Sequence, residues 1–145
     1  MELNNQQKER LQKVANIAVN ASWEGDISGL AFALLRYAGL DVENGYLITS
    51  ENNKADIMVE VLVDRHKVLV IECKKDISHP TRLEGYMQDG RFPNGIIMYP
   101  LKSIFFTLDI DAEDAEVQQG SVYSNVSDYE EMINTMSQMR IPEFE

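Results

Sequence analysis

The chain has 145 residues, the size of one ordinary domain with one core, and is expected to form a single domain over 1–145. No apolar run approaches the roughly 18 residues that cross a bilayer, and the polar start MELNNQQKER carries no secretory signal, so an intracellular, cytoplasmic protein with no membrane partner is expected. Cys73 is the sole cysteine, which excludes an internal disulfide and a multi-cysteine zinc site, and the net charge of −11 speaks against a uniformly basic surface for nucleic acid.

From Leu11 through Val14 to Ile17 and Ala18 the apolar residues recur at helical spacing, which predicts a surface helix over about 5–20. A stronger helix follows in DISGLAFALLRYAGL, where Ile27, Leu30, Ala31, Leu34, Leu35 and Ala38 fall on one face. Asp26 is the expected cap and Gly39 the expected stop. Past Gly39 the period changes to that of strands. GYLITS is a short strand, and ADIMVEVLVDRHKVLVIECKK reads as a hairpin around the polar turn Asp64-Arg65-His66-Lys67. The second strand of the hairpin is apolar on both faces, as a central strand covered by helices would be. His79-Pro80 opens a helix to about Asp89, and NGIIMYP and KSIFFTL follow as two more strands. The stretch from Asp109 to about Asn125 is acidic and short of large apolar residues, so it reads as a linker. Ser127 with Glu130 has the pattern of a capping box that opens a last helix to about Met139. This order of elements points to an α/β sandwich with a central mixed sheet flanked by helices.

Charge is unevenly spread. From Asp109 onward there are ten acidic residues and one basic residue, Arg140, whereas Lys54, Arg65, Lys67, Lys74, Lys75, Arg82 and Arg91 gather in the middle of the chain. A local positive surface is therefore compatible with an acidic whole. The acidic C-terminal segment reads as a solubilising element, as a contact for an oligomer or partner, or as a competitor of nucleic acid for the basic centre.

The central strand VLVIECKK ends in charges. Alternate residues share a face, so Glu72 and Lys74 leave the core together, in line with Val68 and Val70. Asp56, at the start of the preceding antiparallel strand, arrives at the same end of the hairpin. Two carboxylates and a lysine suit a hard divalent cation, Mg²⁺ or Mn²⁺, with phosphodiester hydrolysis as the natural reaction. The parity of the hairpin decides whether they meet. An unbulged even loop sends Asp56 to the face opposite Glu72; an odd loop, or an even loop with one bulge, brings them to the same face.

With Asp56 in ADIMVEV and Glu72 and Lys74 in IECKK, the chain resembles the PD-(D/E)XK nuclease superfamily, the restriction-endonuclease-like fold. SWEGDISGLAFALLRYAGLD, KADIMVEV, VLVIECKK and RLEGYMQDGRFPNGIIMYPLKSIFFTL together are similar to the N-terminal nuclease domain of type I restriction enzyme motor subunits. The likeness spans about 22–108, with 109–145 as an acidic linker plus a helix. Ala55 stands where the superfamily's name has proline. The resemblance implies a Mg²⁺-dependent deoxyribonuclease in which Asp56 and Glu72 hold the metal, with the Cys73 backbone carbonyl as a further ligand. It implies that Lys74 positions the attacking water, that Glu24 on the preceding helix joins the site, with Asp26 as its substitute, and that Gln88 lies in a loosely matching glutamine motif. Lys75, Gln88 and Arg82 are the expected contacts to nucleic acid, DNA first with RNA left open. The expected assembly is a homodimer or a larger nuclease complex.

Each of these residues also has a plainer reading. Cys73 shares the face of Leu69 and Ile71 and fits a core position better than a nucleophile. His66 and His79 suit loop positions, Glu24 is favoured by a helix N-terminus on electrostatic grounds alone, and Lys75, Arg82 and Arg91 suit a solvated surface. Tyr86 and Met87 read as helix packing residues. The competing functional reading is a catalytically inactive nuclease-fold module for binding nucleic acid or protein, or a subunit active only in a larger assembly.

Overall fold

The structure, a computed structural model, describes residues 2–50, 56–77 and 80–145, the side chains of residues 56 and 81 excepted. Among the described residues six strands form one mixed sheet in sequence order: β1 (Tyr46–Ser50), β2 (Asp56–Val61), β3 (Lys67–Cys73), β4 (Asn94–Met98), β5 (Lys102–Thr107) and β6 (Gln118–Ser124). All neighbours are antiparallel except β3 and β4, which run parallel and are joined through the helix α3 (Thr81–Gly90). A parallel pair needs such a crossover, and α3 supplies it.

The sheet is covered on both faces. On one face lie α1 (Asn5–Val19), α2 (Glu24–Tyr37) and α4 (Tyr129–Ser137), whose Leu11, Leu30, Leu34, Ile133 and Met136 form a core with Ile57, Val59, Leu69, Ile71, Ile96 and Met98. On the other face α3 buries Leu83 and Met87 against Val70, Ile97, Tyr99, Phe106 and Leu108. Gly95 on β4 allows α3 this close, because a Cβ there would run into the Met87 sulfur and Leu83 Cδ2. Third in a sheet of six, β3 is thus buried from both sides, which accounts for its unbroken apolar run. The mixed α/β architecture with helices on both faces agrees with the sequence reading. Among the described residues no helix is long and apolar enough to cross a membrane.

Several local expectations are corrected. The N-cap of α2 is Trp23, with no side-chain bond, and Asp26 lies within the first turn, where its Oδ2 accepts from the Ser22 N–H at 3.2 Å. It steadies the approach to the helix instead of capping it. The segment 109–125 is not all linker: 118–124 form the edge strand β6, whose polar residues are tolerated because an edge strand packs little of its surface. Ser127 does not open the last helix. Asp128 is its N-cap, and the Asp128 carboxylate accepts from the Ser124 N–H at 2.7 Å, tying the helix start to β6.

Two polar ties were not read from sequence. Asn125 is fully buried; its amide donates to the carbonyls of Tyr99 and Pro100, and its Oδ1 accepts from Ser103 Oγ at 2.6 Å. At the C-terminus, Glu145 accepts from Tyr46 Oη at 2.6 Å and from Arg140 through two nitrogens, while Tyr46 Oη accepts from the Ile141 N–H at 2.8 Å. Gly39 and Gly45, both at positive φ, leave room for this tie. A Cβ on Gly39 would strike Arg140, and Gly45 lies against the Glu145 backbone.

Candidate active site

The hairpin of β2 and β3 decides the site. Val61 donates to the His66 carbonyl at 2.8 Å, which leaves a four-residue loop over 62–65, with Arg65 in the left-handed region at φ 62°. The turn is therefore shorter at its far end than the sequence suggested, because Lys67 already belongs to β3. This loop is even. Continued without interruption, its register would set Asp56 against Ile71 and Glu72 one step beyond, on the other face.

The register does not continue. Glu60 pairs with Lys67, but its neighbour Val59 pairs with Leu69, so Val68 is an extra residue in β3. From there the pairs run Met58 with Val70, Ile57 with Ile71 and Asp56 with Glu72. Residues directly opposite in a ladder share a face, so positions 56 and 72 lie side by side on the α3 face. The bulge leaves a second mark in the packing. Val68 and Leu69, consecutive in sequence, both belong to the core under α2, whereas Val70 belongs to the core under α3. Val68 is accordingly not in the row of Val70 and Glu72; Lys67 is.

Glu72 is only 2 % exposed, and its Oε1 lies 3.4 Å from Lys74 Nζ, whose side chain is 30 % exposed. The backbone N–H of Lys74 donates to the Met98 carbonyl at 2.9 Å, extending the β3–β4 pairing by one residue. That bond fixes the direction in which Lys74 leaves the sheet. A carboxylate this deep is stable as an anion only beside positive charge. Cys73, buried with Leu69, Ile71 and Met98 on the α2 face, is a core residue as its spacing suggested.

The remaining candidates are more scattered. Glu24 is exposed in the first turn of α2, in the layer that covers the opposite face of the sheet from Glu72. Lys75 is exposed just past β3, and Gln88 is exposed on α3. Arg82, also on α3, donates to Tyr86 Oη at 3.1 Å and lies over the Tyr86 ring. Tyr86 and Met87 pack in the α3 core, as expected, and His66 rests in the turn with its ring 5.0 Å from that of Phe144. Lys54, Ala55 and His79 lie outside the described residues. No group of three His, Cys, Asp or Glu side chains converges among the described residues, a set that does not include the Asp56 side chain.

Two residues of the basic centre, Arg65 and Lys67, are engaged in an ion cluster. They turn to a carboxylate that sequence reasoning passed over, Glu60, whose side chain is 2 % exposed and which lies 3.0 Å from Arg65 and 2.6 Å from Lys67. Burial pushes the Glu60 carboxyl up, but the bonds and charges of Arg65 and Lys67 outweigh it and hold the carboxyl below its ordinary value. Lys67 also lies 5.4 Å over the Phe92 ring. The signal was present in the sequence as one acidic residue inside the apolar run IMVEV. This ion cluster sits at the loop end of the hairpin, roughly 15 Å along the strand from Glu72 at 3.3 Å per residue.

Compared with known proteins, the chain matches no family model, no curated protein and no solved structure at a significant level.

Proposed function

We propose that the protein is a metal-dependent nuclease that hydrolyses DNA phosphodiester bonds by water attack, on a restriction-endonuclease-like α/β sandwich. The observation that carries this reading is the Val68 bulge, which corrects the parity of an even hairpin loop so that position 56 stands opposite Glu72. Such a bulge re-aims side chains at the end of a strand, a common device beside active sites.

The donor set suits a hard cation. The carboxylate of Asp56, the buried carboxylate of Glu72 and the Cys73 carbonyl would hold Mg²⁺ or Mn²⁺, with Glu24 as a further ligand that would have to reach round the end of the sheet. The ion when bound supplies a Lewis acid that polarises the phosphate and lowers the pKa of water. The chain's own residues do the rest. Lys74, anchored by its backbone bond to Met98, presents an ammonium beside Glu72 that would orient the attacking water and stabilise charge growing on the phosphate oxygens. Burial of Glu72 keeps competing water from its carboxylate. Lys75, Arg82 and Gln88, at the end of β3 and on α3, would meet the nucleic-acid backbone.

The test is cleavage of single- and double-stranded DNA, with RNA in parallel, in Mg²⁺ and Mn²⁺. Glu72→Ala and Lys74→Ala are expected to lower the rate at least about 100-fold, the scale on which a positioned charge contributes to catalysis, while circular dichroism keeps its wild-type form; Lys74→Ala, which takes the ammonium from beside buried Glu72, also lowers stability in unfolding. A wild-type protein that cuts none of these substrates with either metal contradicts the proposal and favours a nuclease-like fold kept for binding.

A further inference from the structure

β6 closes the sheet on one side, and among the described residues its outer edge meets no other strand. Sheet edges in soluble proteins are guarded by charge, proline, shortness or cover, because an open row of N–H and C=O groups pairs with any extended chain. β6 has neither charge nor proline, though its register against β5 shifts between Ile104 and Phe106, leaving the stretch from Val122 to Ser124 in regular pairing. It reads Gln-Gln-Gly-Ser-Val-Tyr-Ser, seven residues without a charge or a proline in a chain of which 26% is charged, and residues 118–122 are exposed.

The phase of its hydrogen bonds follows from its end. Asn125 donates to the Leu101 carbonyl on the β5 side, and paired residues in an antiparallel ladder alternate, so Ser124 and Val122 turn their backbone groups outward. At Ser124 those groups are already closed: Asp128 donates its N–H to the carbonyl at 2.9 Å and accepts from the N–H at 2.7 Å. The outward groups of Val122 have no such partner among the described residues. Over β5 and β6 a cavity of about 520 Å³ opens between the sheet and the end of α4, lined by Asn94 of β4, Phe105, Gly120, Tyr123, Met139 and Arg140 among others. It is large enough for an apolar side chain.

Charge specifies the occupant. The segment leading into β6 presents Asp109, Asp111, Glu113, Asp114 and Glu116, all exposed, and none forms an ion pair among the described residues. A second copy of the chain fits poorly. Antiparallel pairing of β6 with β6 would bring this acidic segment of each copy toward the other copy's Asp128, Glu130 and Glu131.

We propose that the outer edge of β6 takes up, as a seventh strand, an extended lysine- or arginine-bearing segment of a partner protein. Backbone pairing supplies affinity, the cavity receives one apolar side chain, and the acidic segment selects the basic flanks. The inference is independent of the nuclease reading, since the edge is three strands away from β3.

The experiment uses the full chain and a fluorescein-labelled nine-residue peptide of alternating valine and lysine, with a valine–glutamate peptide as control, read by fluorescence anisotropy. The lysine peptide is expected to bind at least about 10-fold more tightly than the glutamate peptide, with a preference that fades as salt is raised. Val122→Pro removes an outward N–H without touching the β5 pairing, and is expected to lose binding about 10-fold while the fold persists. Glu113→Lys with Glu116→Lys alters only exposed residues outside the strands; it is expected to abolish the preference for the lysine peptide, and carries the test by itself if Val122→Pro does not fold. Equal affinity for the two peptides, or no binding of the lysine peptide at millimolar concentration, overturns the proposal. So does a wild-type dimer in analytical ultracentrifugation that Val122→Pro returns to monomer, because the edge would then be covered by a second copy.

Discussion

Lys67→Met tests the ion cluster that holds the hairpin on the loop side of the bulge. The substitution keeps the stem that lies over Phe92 and removes the ammonium 2.6 Å from Glu60. Breaking a fully buried pair from one side costs about 3–5 kcal/mol, because the other charge stays buried. Two features reduce that here. Lys67 is 38 % exposed, so water already screens part of the attraction, and Arg65 remains 3.0 Å from the same carboxylate. Roughly half the full cost is left, and loss of the cation over the ring adds about 0.5 kcal/mol. The expected destabilisation is therefore about 2 kcal/mol, or a fall in Tm of about 4–8 °C for a chain of this size. Lys13→Met is the control: Lys13 and Glu9 are 3.5 Å apart and 73 % and 70 % exposed, so its effect should stay within about 0.5 kcal/mol. Urea unfolding followed by circular dichroism measures both. Equal effects for the two variants would refute the claim that burial of Glu60 makes its partners matter.

The acid limb of stability should depend on the same carboxylate. Glu60 is held below its ordinary value in the folded state, so the unfolded chain binds the proton more readily; the contribution is fully present above the unfolded pKa and is lost as pH falls through the folded one. Glu145 shifts the same way, through Arg140 first and Tyr46 second. Glu60→Gln should flatten the fall of Tm between pH 5 and pH 3, within the ordinary carboxylate range and below it, and an unchanged slope would contradict the assignment. Tyr46→Phe deletes the hydroxyl that joins Glu145 to the Ile141 N–H, and is expected to cost about 1–3 kcal/mol in urea unfolding, as for other buried groups left without their bond. A loss below about 0.5 kcal/mol would mean that the C-terminal tie contributes little.

Elements with a clear period were legible in the sequence. α2 and the hairpin strands announced themselves through apolar spacing, and Glu72 and Lys74 through charges at the end of a buried run. What decides the site was hidden for a physical reason. A strand apolar on both faces carries no phase, so VLVI could not show that Val68 and Leu69 face the same way. The bulge is visible only once β2 is laid beside it. β6 was missed on the opposite ground: an edge strand with little to bury has no apolar pattern, and QQGSVYS looks like loop. Asn125 and the tie of Tyr46 to Glu145 join residues 22 to 99 positions apart, contacts that local spacing does not encode. Glu60 was visible as a charge among apolar neighbours, yet the same pattern fits a solvent-facing strand residue. Only its two cationic partners across the turn distinguish the readings.

In the proposed nuclease the Val68 bulge brings position 56 and Glu72 to one cation. A crystal structure with Mn²⁺ soaked in, phased on its anomalous signal, tests this most directly. One strong peak is expected between the carboxylates of Asp56 and Glu72, within reach of the Cys73 carbonyl and absent in Glu72→Ala. A hairpin in which Asp56 turns to the α2 face, or Mn²⁺ bound away from Glu72, would contradict it.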